Sequence, residues 1–198
     1  MINPDIVLAS ASPRRAELLS QIGVHFVVAP ADIDESQRDG EVPADYVIRM
    51  AVEKAQAGLK QQEGDLPVLG ADTAVVWNNQ VFGKPRDRAH AAEMLLALSA
   101  DSHDVLSAVA LACGDKCAVL LSQTKVDFRA ISDDERDKYW QTGEPLGKAG
   151  GYAIQGLGAV FVAQLKGSYS GVVGLPIAET EILLKQFSIP VWQMANIN

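Results

Sequence analysis

The stretch Ile6-Val-Leu-Ala-Ser-Ala-Ser-Pro-Arg-Arg-Ala-Glu-Leu-Leu19 predicts a buried strand that leads directly into a helix. Its first four residues are apolar, and Ser10-Ala11-Ser12 then interrupts the run. Ser12 is a suitable N-cap, and Pro13 suits the first helical turn, where its missing N–H costs nothing. The stretch therefore predicts a strand–turn–helix unit, which is typical of α/β folds.

Two arginines, Arg14 and Arg15, lie in the first turn of the predicted helix. Unpaired N–H groups already place partial positive charge there, so a cation at that end is unfavourable by roughly 0.3–1 kcal/mol. The pair is explained if backbone N–H groups, hydroxyls and both guanidinium groups converge on a phosphate. The alternative is that Glu17 or more distant acids pair with the arginines and that no ligand binds.

The composition is that of a globular protein with an acidic balance. The chain has 198 residues, 48% of them hydrophobic and 21% charged, which suits one large domain or two small lobes. We expect a single domain over residues 1–198, with lobe boundaries in the thirties and near 130–145 as the alternative. The net charge of −8 argues against a nucleic-acid or membrane-surface binder.

Several features favour a cytoplasmic protein. No apolar run approaches the ~20 residues that a bilayer span requires, and residues 1–5 lack the pattern of a secretory signal. Cys113 and Cys117 flank an expected hairpin turn and could lie close together. Reduced thiols are favoured over a zinc site, because the three histidines are scattered without ligand spacing. Reduced thiols in turn indicate the cytoplasm.

Strand-like and helix-like segments alternate along the chain, which predicts a mixed α/β fold. Strands are expected at residues 6–9, 24–29, 67–77, 81–82, 103–112, 117–130 and 160–165. Helices are expected from residues 13 and 43, over 87–99, from a capping box at 132–135 to 141, and over 176–187. The tail from Met194 is expected to fray.

Asp72 is the residue that points most sharply to chemistry. It lies in a β-prone run between Leu69 and Val75-Val76, where a buried carboxylate without a partner would be costly. One interpretation is a metal ligand or general base that lines a cleft. The other is a buried aspartate whose oxygens are satisfied by backbone N–H groups.

The loop at residues 32–41 is acidic and contains Asp32, Asp34 and Glu35. Its composition favours a solvated loop. Beside a phosphate site, however, these carboxylates would suit Mg²⁺, which takes one or two carboxylates together with phosphate oxygens and water.

Three further polar residues are candidates for ligand contacts. Lys54 has the pattern of an ordinary exposed helix residue. Lys84 lies in a constrained turn between glycine and proline, which makes it a better candidate for a phosphate contact. Gln155 lies in a glycine-rich segment and could bind either a ligand or backbone.

Seven short blocks, in order and spread over nearly the whole chain, carry a family resemblance. They are Ser10-Ala-Ser-Pro-Arg-Arg15, Ile33-Asp-Glu35, Glu53-Lys-Ala55, Gly70-Ala-Asp-Thr73, Gly83-Lys-Pro-Arg86, Gly150-Gly-Tyr-Ala-Ile-Gln-Gly156 and Gly167-Ser-Tyr…Val-Gly-Leu-Pro176. Together they resemble the Maf family of nucleoside triphosphate pyrophosphatases. Seven ordered blocks are far more specific than any one of them.

The resemblance implies a cytoplasmic, dimeric enzyme that cleaves nucleoside triphosphates to the monophosphate and pyrophosphate with a divalent cation, Mg²⁺ or Mn²⁺. It also implies a Maf/ITPase-like fold, with an elongated, twisted, mixed sheet flanked by helices and a cleft between two lobes. The alternative that the family suggests is a nucleotide-binding regulator of cell division, for which hydrolysis is incidental.

Matching positions carry the implied roles. Asp72 resembles the catalytic base, and Glu35 and Asp72 resemble the metal site. The contacts to substrate phosphates would come from Ser10, Arg14, Arg15, Lys54 and Lys84.

The implied specificity residues are Arg14, Thr73 and Gln155. In the branch that handles 7-methyl-GTP, these places are typically taken by Trp, Gln and Glu. A cationic methylated purine favours an aromatic stack and a carboxylate, whereas a neutral pyrimidine suits a neutral amide. The resemblance therefore implies the dTTP/UTP branch. The sequence departs slightly from the family pattern at Gly151, where relatives often carry Ala, and at Ser170-Gly171. These differences leave the reaction class unchanged but make the implied choice among nucleotides less specific.

Overall fold

The computed structural model describes residues 3–193, so the fraying expected from Met194 lies outside the described residues. Within them, seven strands form one open sheet: β1 (Ile6–Leu8), β2 (Phe26–Val28), β3 (Val68–Trp77), β4 (Gln80–Phe82), β5 (Ser102–Cys113), β6 (Lys116–Phe128) and β7 (Val162–Lys166). The order is β2-β1-β3-β5-β6-β7, with β4 beside β3. β1 is parallel to β2 and β3, and the other pairs are antiparallel. The prediction of a mixed α/β fold is confirmed.

Helices flank the sheet: α1 (Pro13–Gln21), α2 (Pro43–Gln61), α3 (Arg88–Leu98), α4 (Asp133–Gln141), α5 (Tyr169–Val173) and α6 (Ile177–Gln186). The five predicted helices are present, and the capping box of α4 forms as its sequence indicates. The short α5 was not expected, because one turn and a half is too short to show an apolar period. The glycine-rich segment forms two 3₁₀ turns, at Ala149–Gly151 and Leu157–Phe161.

One face of the sheet is covered by α2. Its buried residues Val47, Ala51 and Ala55 pack against the small and apolar side chains of β3 and β5. The two backbones approach closely at Gly70, where an added Cβ would lie 2.4 Å from the carbonyl oxygen of Ala51. Glycine in β3 therefore sets how near α2 lies to the strand that carries Asp72.

The opposite face carries the other helices. α1 and α6 pack there against Ile6, Leu8 and Leu69, while Leu95 of α3 and Tyr139 of α4 belong to a second cluster further along the same face. Because side chains alternate along β3, its odd-numbered residues face these clusters and its even-numbered ones face α2. Asp72 and Thr73 consequently project from opposite faces of the sheet.

Several predicted strands differ from the observed ones at their ends, and residues 160–161, expected in the last strand, belong to the second 3₁₀ turn. Residues 24–29 contribute only Phe26–Val28, because β2 is at the edge of the sheet and pairs with just three residues of β1. The strand expected over 117–130 ends at Phe128. Within residues 3–193, no helix combines the length and the apolar character that crossing a bilayer would demand.

Candidate active site

A gap along one edge of β3 determines where the cleft forms. β1 pairs with that edge as far as Leu8 beside Leu69, and β4 joins it again at Phe82 beside Val75. Between these points, residues 70–74 pair with β5 alone within the described sheet. The loop after β1 and the segment after β4 therefore border an opening that side chains from both faces of the sheet can reach.

This opening is a cavity of about 640 Å³, and all nine residues predicted for the site line it. They are Ser10, Arg14, Arg15, Glu35, Lys54, Asp72, Thr73, Lys84 and Gln155. Arg14 and Asp72 thus share one cavity, as a phosphate site with a facing carboxylate requires. The residues come from six separate segments of the chain, which only the fold brings together.

Lys54 lies between two carboxylates. Its Nζ is 2.7 Å from Asp72 Oδ1 and 2.6 Å from Glu35 Oε1, and the residue is only 7% exposed. The expectation that Lys54 is an ordinary exposed helix residue is wrong. The close approach of α2 to β3 buries it, and pairing offsets the cost of burying its charge. Asp72 is likewise satisfied by this ammonium rather than by backbone N–H groups alone.

Several cations of the cleft stabilise the ionised form of Glu35. Burial alone would raise the pKa of its carboxyl, but the hydrogen bond and charge of Lys54, with the charges of Lys84 and Arg15, hold that pKa below its usual value. Its side chain is about half exposed, so the loop is solvated, as its composition predicts, while one carboxylate turns into the cavity.

Arg15 is held rigidly in the wall of the cleft. Its Nη1 donates to Ser10 Oγ at 3.0 Å and its Nε donates to the carbonyl oxygen of Gly174 at 2.9 Å. Burial lowers the pKa of Arg15 from its usual value, and the charge of Asp72 opposes that shift. Ser12 occupies the predicted N-cap position, but its hydroxyl accepts no cap hydrogen bond. Its own N–H donates to Ser10 Oγ at 3.2 Å.

Arg14 has a second cation near it. Burial lowers the pKa of Arg14, and burial together with the charge of Arg14 lowers the pKa of Lys148. Within residues 3–193, no acid forms an ion pair with Arg14 or Arg15. Glu17 acts on Arg14 through its charge, and the direct ion pairing that the alternative requires is not formed in the described part of the chain.

Lys148 and Tyr46 also line the cleft, although neither was predicted as a site residue from the sequence. Lys148 lies in the loop before the first 3₁₀ turn, and its only signal was its place beside the glycine-rich block. Tyr46 of α2 lines the cleft and donates from its hydroxyl to the carbonyl oxygen of Glu35 at 3.0 Å. Burial and the charges of Asp72 and Glu35 raise the pKa of Tyr46 to about 12, so it stays neutral at pH 7.

The cleft is locally cationic although the chain is acidic. Five cationic side chains line it (Arg14, Arg15, Lys54, Lys84 and Lys148), against the two carboxylates of Glu35 and Asp72. A concave site of this sign attracts a polyanion in spite of a net charge of −8.

Thr73 and Gln155 lie in different settings within the cleft. Thr73 Oγ1 is 2.9 Å from Ser107 Oγ and 3.4 Å from the carbonyl oxygen of Gly174, so its hydroxyl is held by the sheet and by the loop before α6. Gln155 is exposed between the two 3₁₀ turns, and its side chain is available to a ligand in the cavity.

The histidines and cysteines do not assemble a metal centre within residues 3–193. Cys117 is opposite Ala112 and Cys113 is opposite Lys116, so the two thiols point to opposite faces of the sheet and are free. His103 Nε2 is 2.8 Å from the hydroxyl of Tyr152, and burial lowers the pKa of His103 to about 4. This imidazole is neutral at pH 7 and belongs to an aromatic cluster.

Glu35 and Asp72 do fit a divalent cation of the kind that accompanies phosphates. Because both carboxylates contact the same Lys54 nitrogen, they are close enough to act together. Mg²⁺ at such sites takes one or two protein carboxylates and fills its other positions with phosphate oxygens and water. The donor chemistry is therefore suitable, with most ligands left to the substrate and solvent.

Sequence comparison identifies relatives that match most of the chain. The family model described as Maf-like protein matches residues 5–187. A protein of Saccharophagus degradans named dTTP/UTP pyrophosphatase is 56% identical over 192 residues, which cover 96% of this chain and 91% of that protein. One of the same name from Pseudoalteromonas translucida is 53% identical, covering 92% of this chain and 96% of its own length.

Comparison with solved structures supports the fold. The Staphylococcus aureus Ham1 protein superposes with a TM-score of 0.51 at 14% identity, covering 92% of this chain and 97% of that one. At this level of identity the likeness concerns the fold alone, which is the open mixed sheet with flanking helices described above.

Proposed function

The chain belongs to the Maf family, and on that premise we propose that it hydrolyses nucleoside triphosphates, dTTP and UTP in particular, to the monophosphate and pyrophosphate. The observation that carries the proposal is the shared cavity: the arginines at the start of α1 face Asp72 across a cationic cleft. We take residues 1–198 to form one catalytic domain.

The phosphates would bind at the start of α1. Arg15 is already oriented by Ser10 and Gly174, so its remaining N–H groups can meet a phosphate without losing much conformational freedom. Arg14 and Lys84 add charge from two further positions on the wall of the cavity. These cations would neutralise the charge that develops on the leaving pyrophosphate.

Asp72 would orient and deprotonate the attacking water. The reaction forms a bond from the water oxygen to the α-phosphorus and breaks the bond from that phosphorus to the bridging oxygen, which leaves with pyrophosphate. Lys54, 2.7 Å from Asp72 Oδ1, holds the carboxylate in one orientation. A positioned general base contributes roughly 10²–10⁴-fold to such a step.

A divalent cation, Mg²⁺ or Mn²⁺, would be held by Glu35 and Asp72. When bound, it supplies Lewis-acid neutralisation of the phosphate oxygens. Tyr46 ties the loop of Glu35 to α2 through the 3.0 Å hydrogen bond to the Glu35 carbonyl, which limits the movement of that carboxylate.

The base would be read by Arg14, Thr73 and Gln155. The neutral amide of Gln155 can accept from the N3–H of thymine or uracil and donate to a neighbouring carbonyl. A cationic 7-methylguanine would bind less favourably here, because the guanidinium group of Arg14 repels its positive charge and the neutral amide of Gln155 does not offset that charge. The names of the relatives support this preference for dTTP and UTP.

We further propose a cytoplasmic homodimer. The free thiols of Cys113 and Cys117 suit a reducing compartment. Light scattering after size-exclusion chromatography measures the mass directly, and a single-chain mass near 21.2 kDa would contradict the dimer.

The test of the function is product analysis with dTTP, UTP and 7-methyl-GTP. We expect one pyrophosphate per monophosphate from dTTP and UTP, much slower cleavage of 7-methyl-GTP, and ¹⁸O from labelled water in the monophosphate. Chelation with EDTA should lower the rate roughly 100-fold or more, and excess Mg²⁺ should restore it. Tight nucleotide binding without turnover in any divalent metal would instead favour a regulator that binds nucleotides without hydrolysing them. The names of the relatives describe an enzyme and do not support that alternative.

A further inference from the structure

Gln155 lies in a short backbone segment whose two ends are bound by one pair of side chains. On its N-terminal side, the N–H of Ala153 donates to Tyr139 Oη at 3.2 Å. On its C-terminal side, the N–H of Leu157 donates to Glu144 Oε2 at 2.9 Å and the N–H of Gly158 donates to Glu144 Oε1 at 2.8 Å.

The two side chains are also bound to each other. The hydroxyl of Tyr139 donates to Glu144 Oε1 at 2.7 Å, so a continuous hydrogen-bonded path runs from Ala153 to Gly158 around Gln155. Burial would raise the pKa of Glu144, but the hydrogen bonds from Tyr139 and from the backbone hold it below its usual value. The carboxylate is therefore the form that this network stabilises.

The backbone is shaped to fit this pair. An added Cβ at Gly156 would lie 2.1 Å from Glu144 Oε2, and one at Gly158 would lie 2.6 Å from Tyr139 Oη. Tyr139 is in turn fixed, since it is 5% exposed and packs edge-on against Phe161 with ring centroids 5.0 Å apart. The segment can approach so closely only because both positions are glycine.

From this arrangement we infer that Tyr139 and Glu144 are positioning residues that fix Gln155 for recognition of the base. The inference rests on the proposed function, because it assigns a support to the residue that would read the pyrimidine. Neither residue lines the cleft, so they act on substrate through Gln155. The phosphate-binding arginines and Asp72 lie on other elements, which separates base selection from the chemical step.

Glu144→Gln is the sharpest variant for testing this inference. It keeps the size of the side chain but replaces one acceptor oxygen with an NH₂ group. Because both oxygens of Glu144 accept hydrogen bonds, this NH₂ donor would face another donor and at least one of those bonds would be lost. We expect kcat/KM for dTTP relative to 7-methyl-GTP to fall about tenfold, mainly through KM for dTTP. Tyr139→Phe removes one donor and one acceptor and should shift the ratio in the same direction.

Two controls separate positioning from a general loss of stability. Glu135→Gln makes the same change at a carboxylate within α4 that accepts from Ser132 and Arg129, and it should lower the melting temperature without changing the selectivity ratio. In a Gln155→Ala background, Glu144→Gln should produce no further change in the ratio, because the residue that it positions is gone.

The outcomes distinguish the two proposals. An active wild type whose selectivity ratio is unchanged by Glu144→Gln, or changed equally with and without Gln155, would overturn the inference and leave the proposed function intact. A wild type that cleaves none of the nucleotides would overturn the proposed function and, with it, this inference.

Discussion

Arg14 and Arg15 are adjacent and chemically identical, yet the fold gives them different surroundings. Arg15 is bound by Ser10 and by the carbonyl of Gly174, which is 159 positions away in the chain. Arg14 points into the cleft near Lys148. The sequence predicted that both would meet an anion but did not separate them, because the partner that fixes Arg15 belongs to a distant loop.

This difference predicts unequal effects of the same substitution. Arg15→Lys keeps the charge but loses the planar donor geometry that meets Ser10 and Gly174, so it should lower the free energy of unfolding by roughly 1–3 kcal/mol. Arg14→Lys should change it by less than about 0.5 kcal/mol. Urea denaturation measures both, and equal losses would contradict the assigned contacts.

At the scale of elements, the contact of α2 with β3 builds the centre of the site. α2 supplies Lys54 and β3 supplies Asp72, and the 2.7 Å distance between their charged groups depends on how closely the two backbones pack. Gly70 permits that packing.

Replacing this glycine should therefore disturb both stability and chemistry. Gly70→Ala introduces a Cβ at 2.4 Å from the Ala51 oxygen and should cost about 1–3 kcal/mol of unfolding free energy, with a fall in kcat. Gly64→Ala is the matched control, since it lies in an exposed loop where an added Cβ meets nothing within 4 Å. Thermal melts that do not distinguish the two variants would contradict this account.

The elements show what local sequence can and cannot predict. The α4 capping box, the β5–β6 hairpin and the strand of Asp72 follow from short-range chemistry, and each is confirmed. The burial of Lys54 does not follow, because its helical pattern is that of a surface residue and its depth is set by Gly70 of another element. Ser12 is the N-cap residue that the sequence predicts, but its hydroxyl makes no cap hydrogen bond.

At the scale of the whole molecule, the charge is unevenly distributed. A chain of net charge −8 places five cationic side chains and two carboxylates around one cavity. Composition was enough to argue against a basic nucleic-acid-binding surface, but it could not locate the cationic cleft. The cations come from four separate segments, and the gap between β1 and β4 brings them together.

The central claim is that Asp72, facing these cations, drives hydrolysis of a pyrimidine nucleoside triphosphate. The most direct measurement is pyrophosphate release from dTTP by Asp72→Asn, beside Asp104→Asn, which makes the same change on the neighbouring strand β5 outside the cavity. We predict a loss of roughly 10²–10⁴-fold for Asp72→Asn, with its fold retained because Lys54 keeps its ion pair with Glu35, and a wild-type rate for Asp104→Asn. A wild-type rate of release from Asp72→Asn would contradict the account.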